Sequence, residues 1–209
     1  DSTKQVAAIH AYQISDSLNV TGSYFYINGD GGNNYNTAIM FWGTHQLTQS
    51  VDIQKCKVYG YSKFLNLDAA KSVVVKNNEA HNMVGPIVIG EKKEIKNGTF
   101  IQLANTGGAK SIGSIIVTDN KIIDSDADFK GVATHPNNNT DQTTLTNLET
   151  DMDVTFKGSV TVVKASIGGN IEIIKENNAT PKVTIDAKGS LTVAAGKTLT
   201  ADADATITN

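Results

Sequence analysis

Arginine is absent from the 209-residue sequence, and cysteine and tryptophan occur once each. The single Cys56 excludes an internal disulfide and a cysteine-rich zinc centre. With no arginine, a net charge of −3 and no basic run, nucleic-acid binding is not expected. No apolar stretch approaches the roughly 18 residues of a membrane span. His10, His45, His81 and His135 show neither HxH nor HExxH spacing, so no histidine metal centre is expected. GxSxG, P-loop and dinucleotide fingerprints are missing too, which leaves GDGG and TGGA as turn glycines. Leucine is scarce, nine residues against 17 valines and 20 isoleucines, which favours β-branched strand formers over a helical bundle.

What is present fits many short strands and turns: 23 threonines, 20 asparagines and 18 glycines. Cys56 sits in SVDIQKCKVYG and reads as a small core residue. Lys55 and Lys57 flank it, but neighbours on a strand face the other way and do little to activate the thiol. Low charge, no arginine, one cysteine and abundant Thr and Asn point to an extracellular protein. A first residue of Asp1 rather than methionine fits a processed secreted chain or an excised piece.

A repeat runs through the first 125 residues. NVTGSYFYI, DIQKCKVYG, VVKNNEAHN, EIKNGTFIQ and IVTDNKIID superimpose, with Val20, Ile53, Val75, Ile95 and Val117 in one register at separations of 33, 22, 20 and 22. Phe25, Val58, Ala80, Phe100 and Ile122 form a second apolar register, and Ser23, Cys56, Asn78, Gly98 and Asn120 lie between the two at a turn-like position. Three short strands with their turns occupy about 20–25 residues at roughly 3.3 Å per strand residue, so the period suits stacked coils of parallel strands. Asn77, Asn97 and Asp119, and Asn78 and Asn120, read as amide ladders at turns that tolerate left-handed backbone.

VVKNNEAHN, EIKNGTF and IVTDNKI resemble coils of right-handed parallel β-helix proteins, the pectate-lyase-like superfamily, over about residues 5–125. The resemblance implies an all-β solenoid; the alternative is an antiparallel β-sandwich, where turn signals also recur. It also implies polysaccharide lyases or hydrolases. Lyases of that superfamily often use arginine as the base, with calcium to acidify the substrate, and no lysine here (Lys55, Lys63, Lys76) is marked as a substitute. Glycosidases need two facing carboxylates roughly 5–10 Å apart, whereas Asp52, Asp68, Glu79, Glu94 and Asp119 are spread out. The expectation is therefore a non-catalytic bacterial surface member.

Residues 1–125 are expected to form β-helix coils, 126–150 a polar loop or linker, and 151–209 a β-rich solenoid extension or second small β domain. DSDADFKG places Asp124, Asp126 and Asp128 at alternate positions, the way calcium loops begin, although Phe129 and His135 break the EF-hand pattern. No cofactor is expected beyond calcium at those three aspartates. Aromatic residues cluster early: Tyr24, Trp42, Tyr59 and Tyr61 are the candidate sugar-stacking residues, with Tyr24 and Tyr26 pointing opposite to Phe25. Thr198/Thr200 and Thr206/Thr208 form two Thr-x-Thr pairs that could build a threonine ladder.

The function expected is that of a secreted or cell-surface structural or adhesive solenoid. A polysaccharide-binding or polysaccharide-degrading β-helix is the alternative. The partners expected are an extracellular polysaccharide and a second copy of the chain. LTADADATITN keeps a strand pattern to its last residue, so either the chain was cut from a longer protein or its final strand adds to another copy.

Overall fold

The computed structural model describes residues 6–12, 16–27, 36–42, 49–84, 87–89, 94–96, 98–105, 109–136, 140–175 and 179–209. The chain opens with β1 (Val6–Tyr12) and continues in circuits of three strands. They are β2 (Ser17–Thr21), β3 (Tyr24–Tyr26) and β4 (Asn36–Trp42), then β5 (Ser50–Gln54), β6 (Lys57–Tyr59) and β7 (Lys63–Leu67). The third circuit has β8 (Ser72–Lys76) and β9 (Glu79–His81), a hairpin of β10 (Ile87–Ile89) and β11 (Glu94–Lys96), and then β12 (Thr99–Asn105). The fourth has β13 (Ala109–Thr118), β14 (Lys121–Ile123) and β15 (Lys130–Pro136). From there each circuit holds two strands: β16 (Gln142–Thr150) and β17 (Val154–Lys157), β18 (Ser159–Ile167) and β19 (Ile171–Ile174), β20 (Lys182–Val193) and β21 (Leu199–Ala201), followed by β22 (Thr206–Thr208).

Successive circuits return to the same sheets. The A sheet runs β1-β4-β7-β12-β15-β17-β19-β21, the B sheet β2-β5-β8-β13-β16-β18-β20-β22, and the four-stranded C sheet β3-β6-β9-β14. All pairings within these sheets are parallel. This is an all-β parallel β-helix, and the parallel pairing excludes the antiparallel sandwich. Among the described residues no helix is long and apolar enough to cross a membrane.

Alternation selects what faces inward. Val20, Ile53, Val75 and Val117 share one register of the B sheet and all are buried. Phe25, Val58, Ala80 and Ile122 share one register of the C sheet. Ile95 is not a rung of the first column: it lies in the hairpin, opposite Val88 in an antiparallel pair. Phe100 and Gly98 leave their expected columns as well, because Phe100 belongs to the A sheet, against Phe64 at 4.9 Å. Asn97 lies outside the described residues. The hairpin explains the false rung. Cys56 and Asn78 are 22 residues apart but Asn78 and Asn120 are 42 apart, so an insertion about one coil long imitated a coil.

The bends from the B to the C sheet use left-handed backbone at Gly22, Lys55, Asn77 and Asp119, with φ of 62°, 56°, 58° and 59°. Asparagine and aspartate tolerate that region. The following side chains tie the circuits together. Asn78 Oδ1 accepts from the Cys56 N–H at 2.9 Å, and Asn120 Oδ1 accepts from the Asn78 N–H at 3.0 Å. Their Nδ2 groups donate to the carbonyls of Ile53 and Val75. This is the expected amide ladder, for Asn78 and Asn120.

The stretch expected as a loop over 126–150 carries β15 and β16, which continue the A and B sheets. Threonine concealed it: buried Thr143 alternates with Leu145, and buried Thr150 with Leu148 after a change of parity within β16. A hydroxyl makes the segment look polar, while the β-branched methyl packs. The later corners, at 151–153 and 168–170, lead straight from the B to the A sheet. They pack so closely that a Cβ on Gly169 would stand 2.4 Å from Met152 backbone. Thr200 and the Thr206/Thr208 pair fall on different sheets, so the two Thr-x-Thr motifs do not form one ladder.

Candidate functional site

Each C-sheet strand has three residues; in β3, β6 and β9 the middle one is buried and its neighbours face out, while Ile122 of β14, at the other edge, is 36% exposed. Tyr24 and Tyr26 are 65% and 63% exposed on either side of buried Phe25. Register places Tyr24, Lys57, Glu79 and Lys121 in one outer row, and Tyr26, Tyr59, His81 and Ile123 in the other. Parallel strands lie about 4.8 Å apart, which is the distance at which flat rings stack. In-register Tyr59 and His81 stack with centroids 4.5 Å apart and planes only 6° apart, while Tyr24 reaches diagonally from the other row to stack on Tyr59 at 4.9 Å. Charges sit beside the rings: Lys57 Nζ is 2.8 Å and His81 Nε2 3.2 Å from Glu79 Oε2.

These contacts set the protonation chemistry. Hydrogen bonding by Lys57, then by His81, holds the Glu79 carboxyl below the usual glutamate range. The Glu79 hydrogen bond raises Lys57 in return. The Tyr24 phenol is raised, first by its hydrogen bond with Tyr59. Stacking a sugar on an aromatic ring needs a free ring face. Tyr59 lies between Tyr24 and His81 and has little face to offer, so it positions the others. Tyr24 and Tyr26 occupy β3, the edge strand of the C sheet, and are the rings exposed to a ligand.

The remaining expected site residues lie elsewhere. Tyr61 is 5% exposed and belongs to the core, where burial raises its phenol, so it is no surface ligand. Alternation counted from Tyr59 fails there because Gly60, at φ 75°, turns the chain between them. Trp42 ends β4, paired with Tyr12 on the A sheet rather than beside Tyr24; its side chain lies outside the described residues. Cys56 is buried, as expected, and burial raises its thiol.

Asp124 occupies a left-handed corner (φ 48°) equivalent to Gly60 and Asn82. Its backbone conformation is thus the one its position in the coil requires. Asp124, Asp126 and Asp128 are all exposed, and no three His, Cys, Asp or Glu side chains among the described residues are grouped to hold a metal ion. The structure does not gather the three aspartates into a centre.

Sequence reasoning missed Lys57, Glu79 and His81. The signal was available: Tyr59 and His81 follow the inward Val58 and Ala80 at the same step of the repeat. No family model, curated protein or solved structure matches the chain.

Proposed function

We propose that the chain is a non-catalytic β-helix of the pectate-lyase-like kind, placed outside the cell or on its surface, whose role is adhesive. The ligand in this reading is an extracellular polysaccharide that stacks on Tyr24 and Tyr26. The observation that carries it is the pair of exposed tyrosine rings on an edge strand, of which Tyr24 is braced by the Tyr59–His81 stack. A ring held in place by its neighbour, as Tyr24 is by Tyr59, loses little side-chain freedom when a sugar arrives, so more of the stacking energy appears as affinity. Lys57 and Glu79 supply a donor and an acceptor at the ring edges for sugar hydroxyls.

A glycan array run with and without calcium tests the proposal. At least one polysaccharide should bind, and Tyr24→Ala or Tyr26→Ala should each weaken it by about 1 kcal/mol, roughly fivefold. Binding that survives the double variant, or release of reducing ends or unsaturated uronates by the wild type, overturns it.

A further inference from the structure

The C sheet ends at β14 while the A and B sheets run on, so the solenoid has a shoulder there. The next circuit takes a short cut beneath it. The Asp151 N–H donates to the Val117 carbonyl at 3.3 Å, and the Asp153 carbonyl accepts from the Val132 N–H at 2.9 Å. Residues 151–153 thus rejoin the B and A sheets without laying a strand under β14. Among the described residues, no strand pairs with the other edge of β14.

The open edge shows in the backbone and in the core. The Lys121 N–H donates to the Asn78 carbonyl at 2.9 Å, and the Ile123 carbonyl accepts from the Asn82 N–H at 3.1 Å, so both residues bond towards β9. Successive residues of a ladder bond to opposite neighbours, which turns the Ile122 N–H and carbonyl to the open side. The Ile122 side chain shares the register of Phe25, Val58 and Ala80, yet it is exposed where they are buried. Met152, on the short cut, is only partly buried against the core.

Charge marks what such an edge takes. Residues 119–129 and 151–153 hold six aspartates and one lysine, whereas the whole chain carries a net −3, so acidity is concentrated at the shoulder. Lys76 offsets one of the six, Asp119, at 3.2 Å. Asp124, Asp128, Asp151 and Asp153 are exposed. A field of this sign draws a cationic partner and repels the same edge of a second copy.

We infer that β14 accepts a basic extended peptide segment, alternating lysine or arginine with apolar residues, as a further strand of the C sheet. Strand addition takes affinity from main-chain bonds and specificity from alternate side chains. Here the main-chain bonds go to Ile122, the apolar side chains cover Ile122 and Met152, and the cations lie in the field of the aspartates.

Amide exchange and calorimetry of the full chain with a blocked peptide of alternating lysine and valine test the inference. The Ile122 amide should exchange at least about tenfold more slowly at saturating peptide, the effect of roughly one added hydrogen bond. The same peptide with glutamate for lysine should bind at least about tenfold more weakly, and the lysine peptide should weaken as salt rises. Asp124→Asn with Asp151→Asn keeps the left-handed corner and the acceptor for the Asp119 N–H, so the melting temperature should hold while binding falls about three- to tenfold. Ile122→Pro, tolerated on an edge because the lost N–H faces outward, should abolish binding. Tyr24→Ala should leave it unchanged, which separates this edge from the proposed glycan face. Unaltered Ile122 exchange at roughly millimolar peptide, or equal binding of the glutamate peptide, overturns the inference. So does Ile122 protection that grows with protein concentration alone, which gives the edge to a second copy.

Discussion

The three-sheet part of the solenoid, through β15, and the two-sheet part after it stack by the same parallel rule yet are filled differently. Buried aromatic residues of the first part include Phe25, Phe41, Tyr61, Phe64, Phe100 and Phe129, whereas Phe156 is the only aromatic residue of the second. Three sheets around a core leave room that large rings fill. Two sheets face to face stand about 10 Å apart and, apart from Phe156, are filled by Val, Ile, Leu and Ala. The corners differ in parallel. Single left-handed residues bend the B sheet into the C sheet, while corners of three to five residues carry it straight to the A sheet. At the junction the two modes are joined, because Asp151 Oδ2 accepts from the Asp119 N–H at 2.7 Å. The cross-section of this solenoid is therefore set at its corners, and core composition follows.

The largest expected effect comes from breaking the shared inward column. Val75→Asp buries a charge at a fully enclosed position and should cost upwards of about 4 kcal/mol in denaturant unfolding. Next come the two fillings. Phe100→Ala should cost about 3–5 kcal/mol by opening a cavity in the wide part. Val162→Phe should cost about 1–3 kcal/mol by overfilling the narrow part. Equal tolerance of a phenylalanine at buried valines in both parts would erase the comparison.

Corner ties rank below these. Asn78→Ala strands the buried Ile53 carbonyl and the Cys56 N–H, at about 2 kcal/mol. Asp153→Ala removes an exposed bond to the Asn170 N–H and should cost about 1 kcal/mol or less, since water replaces it. Amide exchange read corner by corner would show protection lost at Cys56 in the first variant and confined to Asn170 in the second.

The smallest effect concerns the outer C-sheet face, which the two-sheet part lacks. Glu79 has a folded pKa below its unfolded one, so its contribution is present above the unfolded value and fades as pH falls through the folded one. Melting temperature should thus drop slightly on acidification below the ordinary glutamate range, and Glu79→Gln should remove that slope. An unchanged slope in the variant would assign it to other carboxylates.

The columns through Val20, Ile53, Val75 and Val117 were legible because inward rungs must be apolar at every circuit. So were the asparagine turns, since few residue types accept their backbone. Burial of Tyr61 was not legible, because a corner resets the parity that alternation relies on. Nor was the tyrosine–histidine stack, which depends on rows from separate circuits meeting at strand spacing. The amino-acid sequence by itself determined that the chain makes short strands, which side of most of them is apolar, and where left-handed turns fall, since these follow from local sterics and alternation. Which segment pairs with which was decided only in the tertiary structure. There a hairpin of one coil's length displaced Ile95, threonines took inward places in β16, and the third sheet ended at β14, because strand pairing joins residues tens of positions apart.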